Sequence, residues 1–122
     1  MASLVGRKIV RDVFLAFVRV HVLHHAAEGR IFGVEMMEEL KRHGYDIGPG
    51  TMYPLLHSLE EGGALVSAQE VVGGKVRKYY RTTRAGDALL SELRAKIGEL
   101  VDEVLERRPA RKPRKPAPHP KI

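Results

Sequence analysis

His21, His24 and His25 crowd one short stretch, and Glu28 follows four positions after His24. On a helix, His21 and His25 stand at i and i+4, as do His24 and Glu28, so the members of each pair share a face. Imidazole nitrogens and a carboxylate at this spacing can hold zinc or another borderline divalent ion, with the shell completed across a dimer. The alternative is a set of ordinary histidines on a half-buried interface helix. A second set lies in 48–63, where Met52, Leu55, Leu56 and Leu59 recur at i, i+3, i+4 and i+7 and form a docking face. Gly50, Tyr53, Pro54, His57, Ser58 and Glu61 point the other way. A helix that meets only water is laced with Lys, Glu and Gln, so this mixture expects something to lie against it. The third set is Lys75, Arg77, Lys78, Arg81 and Arg84, with no acid between Val71 and Arg84. Such a cluster repels itself unless an anion is expected, and DNA phosphate is the obvious one. Its bland alternative is a solvated hairpin.

These residues carry no recognised catalytic motif. There is no P-loop, three-glycine dinucleotide fingerprint, His-Glu-x-x-His or Gly-x-Ser-x-Gly, and the chain has no cysteine. Only the histidines could support metal-assisted hydrolysis. No cofactor is required, and a divalent transition metal enters only as an effector. The missing cysteine also removes disulfides and fits a reducing, cytoplasmic setting. The most apolar run, Val13 to Ala27, contains Arg19 and three histidines, so no membrane span is expected. The net charge is +6, but seven of the 21 Lys and Arg lie in 107–122 without an acid, which leaves 14 cations against 15 acids before it. The folded part is nearly neutral, and its basic patch is local.

The elements that must position these groups follow from periodicity. A helix is expected over about 7–28, with Ile9, Val10, Val13, Phe14, Phe17, Val20 and Ala27 as its core face and Leu15, Val18, Val22 and Leu23 elsewhere around the cylinder. A helix apolar on two sides needs two partners, the second most simply another subunit. After Gly29-Arg30, a shorter helix should run from Phe32 or Gly33 to His43, burying Met36, Met37 and Leu40, with Gly44 as its C-cap. Tyr45 to Gly48 turns into the 48–62 helix, where Pro49 suits the first turn and Pro54 should bend the segment. Two short strands around Gly73-Gly74 form a hairpin in which Glu70 faces Arg77. Thr83 caps a final helix reaching about Glu106, whose Leu90, Leu93, Ile97, Leu100 and Val104 make a narrow pairing seam. The fold expected is mainly α with a small β-hairpin. It is a winged helix-turn-helix over 1–106 ending in a dimerisation helix (about 83–106), followed by a basic, Pro-rich, disordered tail over 107–122. That tail is either a phosphate-binding arm or merely solubilising.

The run Gly48-Pro49-Gly50-Thr51-Met52-Tyr53-Pro54-Leu55-Leu56-His57-Ser58-Leu59-Glu60, the preceding His43-Gly44-Tyr45, and Arg77-Lys78-Tyr79-Tyr80-Arg81-Thr82-Thr83-Arg84-Ala85-Gly86 resemble the PadR family of bacterial transcriptional regulators. The resemblance covers about residues 10 to 106 and points to the short branch with a single C-terminal dimerisation helix. It implies a homodimeric DNA-binding regulator that represses from a double-stranded operator and is released by a small molecule or stress signal; the histidines add a metal ion as a second kind of effector. It also implies that Thr51, Tyr53, Pro54 and His57 lie on the recognition helix and Lys75, Arg77 and Lys78 on the wing. Gly50 and Arg81 join them as DNA-contact candidates. His21, His24, His25 and Glu28 are the metal candidates, and Phe14, Phe17, Leu90, Leu93, Ile97, Leu100 and Val104 the dimer candidates. An apolar cleft beside Phe14, Phe17 and the last helix is the alternative effector site, for a planar aromatic compound. Two departures bear on local contacts: Gly48 replaces a frequent Ser, and Phe32-Gly33-Val34 replaces the usual His-Gly-Tyr. The rival reading is a winged-helix protein-interaction module without specific DNA binding.

Overall fold

The computed structural model describes residues 3–105, so the expected tail at 107–122 lies outside the described residues. The elements are α1 (Leu4–Glu28), α2 (Gly33–Arg42), α3 (Pro49–Glu61), β1 (Leu65–Val72), β2 (Lys75–Thr82) and α4 (Arg84–Val104). This is the winged helix-turn-helix order, with one more long helix behind the wing.

Each helix starts and stops for a local reason. The Ser3 hydroxyl accepts the Gly6 N–H at 3.0 Å and caps α1. α2 ends where Gly44 enters the left-handed region at φ 87°, a position that costs a residue with a Cβ about 1 kcal/mol. α3 opens on Gly48 and Pro49, and Met52, Leu55 and Leu56 are buried beneath it while Leu59 is half-buried. Thr83 caps α4 by accepting the Gly86 N–H at 3.0 Å.

The core corrects the expected orientation of α1. Val18, Val22, Leu23 and Ala26 are its buried residues, whereas Ile9, Val10, Val13, Phe17 and Ala27 are exposed. Successive helical residues turn by about 100°, which sorts the apolar side chains of α1 into two opposite stripes. The stripe reserved for a second partner proves to be the core stripe. Met36, Leu40, Met52, Leu56, Leu65 and Leu90 close the core against it. Leu90 is only 2% exposed, so this member of the expected dimer seam is occupied within its own protomer.

The hairpin pairs in the expected register, with Glu70 opposite Arg77 and Val72 opposite Lys75. Gly73 and Gly74 both take positive φ, 57° and 77°, as a type I′ turn requires. A further pairing has no counterpart in the sequence reading. Ile31, between α1 and α2, donates to the Tyr80 carbonyl at 2.8 Å and accepts from the Tyr80 N–H at 2.7 Å. One residue thus adds a third, minimal strand to the wing.

The hairpin's other end is tied to α4. The Thr83 N–H reaches the Ala64 carbonyl at 3.1 Å, and the Thr83 hydroxyl donates to the Gly63 carbonyl at 2.5 Å. Gly86 packs so closely that a Cβ there would stand 2.0 Å from the Ala64 oxygen, and backbone cannot yield as a side chain can. Gly86→Ala is therefore expected to destabilise the fold by about 3 kcal/mol, and Thr83→Ala, losing a cap, by about 1 kcal/mol. Urea denaturation of the two variants checks that ranking.

Candidate nucleic-acid interface

On α3 the apolar face is spent on the core, so Gly50, Tyr53, Pro54 and His57 reach the surface, with Thr51 half-buried. Tyr53 is 44% exposed, yet its ring is not free. It lies against the start of α2, where a Cβ on Gly33 would stand 2.6 Å from the ring carbon Cε1. Gly33 is thus the residue that lets Tyr53 lie flat between the two helices. His57 pairs loosely with Glu61 at 3.7 Å, one turn on. No Lys or Arg stands on α3.

The wing sorts its cations by the two-residue alternation of a strand. Lys75, Arg77, Tyr79 and Arg81 share one face of β2, and Lys78 shares the other with buried Tyr80. On the outer face, the Arg77 guanidinium lies 4.8 Å from the Phe32 ring centroid and that of Arg30 lies 4.1 Å from the Tyr79 centroid. Phe32 and Tyr79 meet edge-on at 5.5 Å, and Arg30 is ion-paired with Glu70. These stacks align planar cations along the wing while leaving their charge outward. Lys75, Arg81 and Arg84 have no ion-pair partner among the described residues. The expected wing set therefore divides. Arg30 and Phe32 were missed because only the Ile31 bridge brings them beside the hairpin.

Lys78 faces α3 instead, with its ammonium 3.4 Å from Glu60 and 5.5 Å from the Tyr80 ring centroid. Tyr80 first, with Glu60 adding to it, holds Lys78 above the ordinary lysine pKa. The Ser67 hydroxyl donates to Glu60, and this bond, followed by Lys78 overcoming the cost of lost hydration, holds Glu60 below the ordinary carboxylate range. Lys78 and Glu60 together fasten the wing to α3.

The expected metal quartet does not converge. His24, His25 and Glu28 form one group and His21, His25 and His43 another. The 100° step between adjacent helical residues turns His24 and His25 in different directions, and His25 alone belongs to both groups. His24 approaches Glu28 at 3.4 Å and Arg94 of α4 at 3.1 Å. Burial, and then the neighbouring imidazoles of His43, His25 and His24, hold His21 below the ordinary histidine pKa. Among the remaining dimer candidates, Phe14 packs on Tyr45 at 4.9 Å, and Leu93 and Ile97 are half-buried. Phe17, Leu100 and Val104 are 43%, 54% and 63% exposed.

A three-helix core, a recognition-helix position at α3 and a basic two-stranded wing define a winged helix-turn-helix protein. Residues 22–92 match the transcriptional regulator PadR-like family. The chain is 51% identical over 96 residues to the transcriptional regulator Rv3488 of Mycobacterium tuberculosis, covering 79% of this chain and 90% of that protein. It superposes on the crystal structure of a PadR family transcriptional regulator from Eggerthella lenta with a TM-score of 0.71 at 33% identity, over 84% of this chain and 90% of that one. A PadR-like transcription factor from Bacteroides fragilis gives 0.70 at 25% identity, over 81% and 97%. The chain belongs to the PadR-like family of transcriptional regulators. These relatives are regulators, which removes the enzyme reading.

Because folding lowers the Glu60 pKa, the stability it confers is complete above the ordinary carboxylate value and is lost as the pH falls through the folded value. Wild type should therefore lose stability more steeply than Glu60→Gln from about pH 5 downward. Urea midpoints across that window test it, and parallel slopes would remove Glu60 from the linkage.

Proposed function

We propose that the protein is a homodimeric repressor that binds a double-stranded operator through α3 and the wing, and whose binding is released by an effector. The observation that carries the reading is the outer surface of α3 and β2. A helix with its apolar face spent on the core presents Thr51, Tyr53, Pro54 and His57, beside a strand face carrying Lys75, Arg77 and Arg81. α3 fits the major groove, and the strand cations fit the flanking phosphates. Without Arg or Lys on α3, the commonest bidentate contact to guanine is missing from that helix. Specificity then comes from groove shape, apolar contact with thymine methyls and half-site spacing.

The dimer reading rests on exposed apolar surface. The outer stripe of α1, including Ile9, Val13 and Phe17, and the end of α4 with Leu100 and Val104 are left exposed by the other described residues. Large aliphatic and aromatic side chains bared on two long helices fit an obligate partner, and a second copy supplies the symmetric operator spacing that a winged helix reads. By this reading residues 1–106 are the DNA-binding and dimerisation unit, and 107–122 a basic appendage.

Fluorescence anisotropy with the protein's own promoter, against a scrambled duplex at several salt concentrations, tests the function. Replacing Lys75, Arg77 and Arg81 together by Ala should weaken binding to both duplexes alike and flatten the log–log salt slope by about two to three. His57→Ala should instead reduce the preference for the promoter. Equal binding of both duplexes by wild type would favour the protein-interaction module. Gly33→Ala drives a Cβ into Tyr53 and should cost at least about tenfold in promoter affinity, on the order of 1.4 kcal/mol, with the scrambled duplex less affected.

A further inference from the structure

We propose that His21, His25 and His43, completed by Glu39, form a divalent transition-metal site that clamps α1 to the end of α2 and, when filled, releases the operator. The proposal rests on the DNA-binding reading above only for its second half.

The ligand set draws on two elements distant in sequence. His21 and His25 lie one turn apart on α1, and His43 is the residue that ends α2. One ring nitrogen from each lies within 4.8 Å of the others. The His21 ring stacks on His43 at 4.9 Å and is nearly parallel to that of His25. Glu39, half-buried one turn before His43, places Oε1 3.8 Å from Nε2 of His25 and 3.5 Å from Nε2 of His43. A tetrahedral ion with bonds of about 2.0–2.1 Å holds its ligand atoms roughly 3.3 Å apart. The rings therefore need to close by only about 1–2 Å, within reach of side-chain torsions.

The donor set chooses the class of ion. Imidazole nitrogens with one carboxylate oxygen suit zinc, cobalt, nickel or copper and disfavour calcium and magnesium, which want an oxygen cage. The cluster is also poorly explained without an ion. Glu39 is shared by His25, His43 and Arg42, while His21 faces two imidazoles and the Tyr45 ring at 5.2 Å, with no carboxylate of its own among the described residues. The competing group of His24, His25 and Glu28 belongs to α1 alone, its Glu28 is exposed, and His24 already meets Arg94.

The position gives the ion leverage. Immediately after His43 come Gly44 and the Tyr45–Gly48 turn that leads into α3. The bare apolar stripe assigned above to the dimer runs alongside on α1, with Phe17 one turn before His21. Drawing His43 toward α1 thus alters the angle between the dimer face and the recognition helix, and with it the spacing of the paired α3 helices.

The test uses full-length protein stripped with EDTA. Zinc titration by calorimetry and the visible absorption of tetrahedral cobalt(II) report the site without DNA. Promoter anisotropy with and without zinc reports the coupling. Zinc should bind, His43→Ala and His21→Ala should each weaken it by roughly 10–100-fold, and Glu28→Ala should leave it within about twofold. Zinc should weaken promoter binding by about 5–150-fold in wild type and not in His43→Ala. Circular dichroism shows that each variant is folded, and exposed His43 is the safer substitution. Wild-type zinc affinity in His43→Ala, or equal loss in Glu28→Ala, overturns the site. Promoter binding that zinc leaves unchanged or tightens overturns the release. Zinc binding through these ligands without promoter preference supports the site and removes the DNA reading instead.

Discussion

Two hydrogen bonds between Ile31 and Tyr80 hold the functional surface together. A lone two-stranded hairpin is marginally stable in water, and this one gains its anchorage by pairing with a buried residue of the α1–α2 junction. Ile31 and Tyr80 are themselves core residues, so their backbone groups are far from water, and leaving either unpaired would cost about 1–3 kcal/mol. Because side chains alternate, turning Ile31 inward turns Arg30 and Phe32 outward, beside Tyr79 and Arg77. The order of the wing's outer face follows from that single bridge.

The charges divide by task along the same alternation. Lys78 and Glu60 join strand to helix, while Lys75, Arg77 and Arg81 share the outer face, where Arg77 is steadied by the Phe32 ring and not by a carboxylate. A basic cluster that spent its charge on internal pairs would have little left for phosphate. Here internal pairs use Lys78 and, through Glu70, Arg30, while the Phe32 ring orders Arg77 without neutralising it. α3 differs: its surface carries no Lys or Arg, and its shape depends on Tyr53 lying across Gly33.

Much of this was legible in the sequence, for reasons that differ by element. α3 declared itself through Pro49, the i, i+3, i+4 leucine pattern and the glycines after Glu61. The hairpin register followed from Gly73-Gly74, since a two-residue turn leaves one way to pair the flanks. α1 was legible as a helix but not in its orientation, because two opposite stripes of similar apolarity differ only in what covers them. Its outer stripe even carries the larger Phe17. The Ile31 bridge has no periodicity at all, being one residue long, and it hid Arg30 and Phe32 with it. His43 was separated from His21 by most of α2, so spacing within α1 drew attention to His24 and Glu28 instead.

The strand alternation also limits how such a wing can vary in length. A single residue inserted into β2 after Val76 would exchange its faces, turning Lys78 toward solvent and driving Arg77 against Glu60 and the core. Two inserted residues would restore the facing and merely lengthen the arm. Wings of this design should therefore grow and shrink in even steps, with odd changes confined to the glycine tip or absorbed by a bulge.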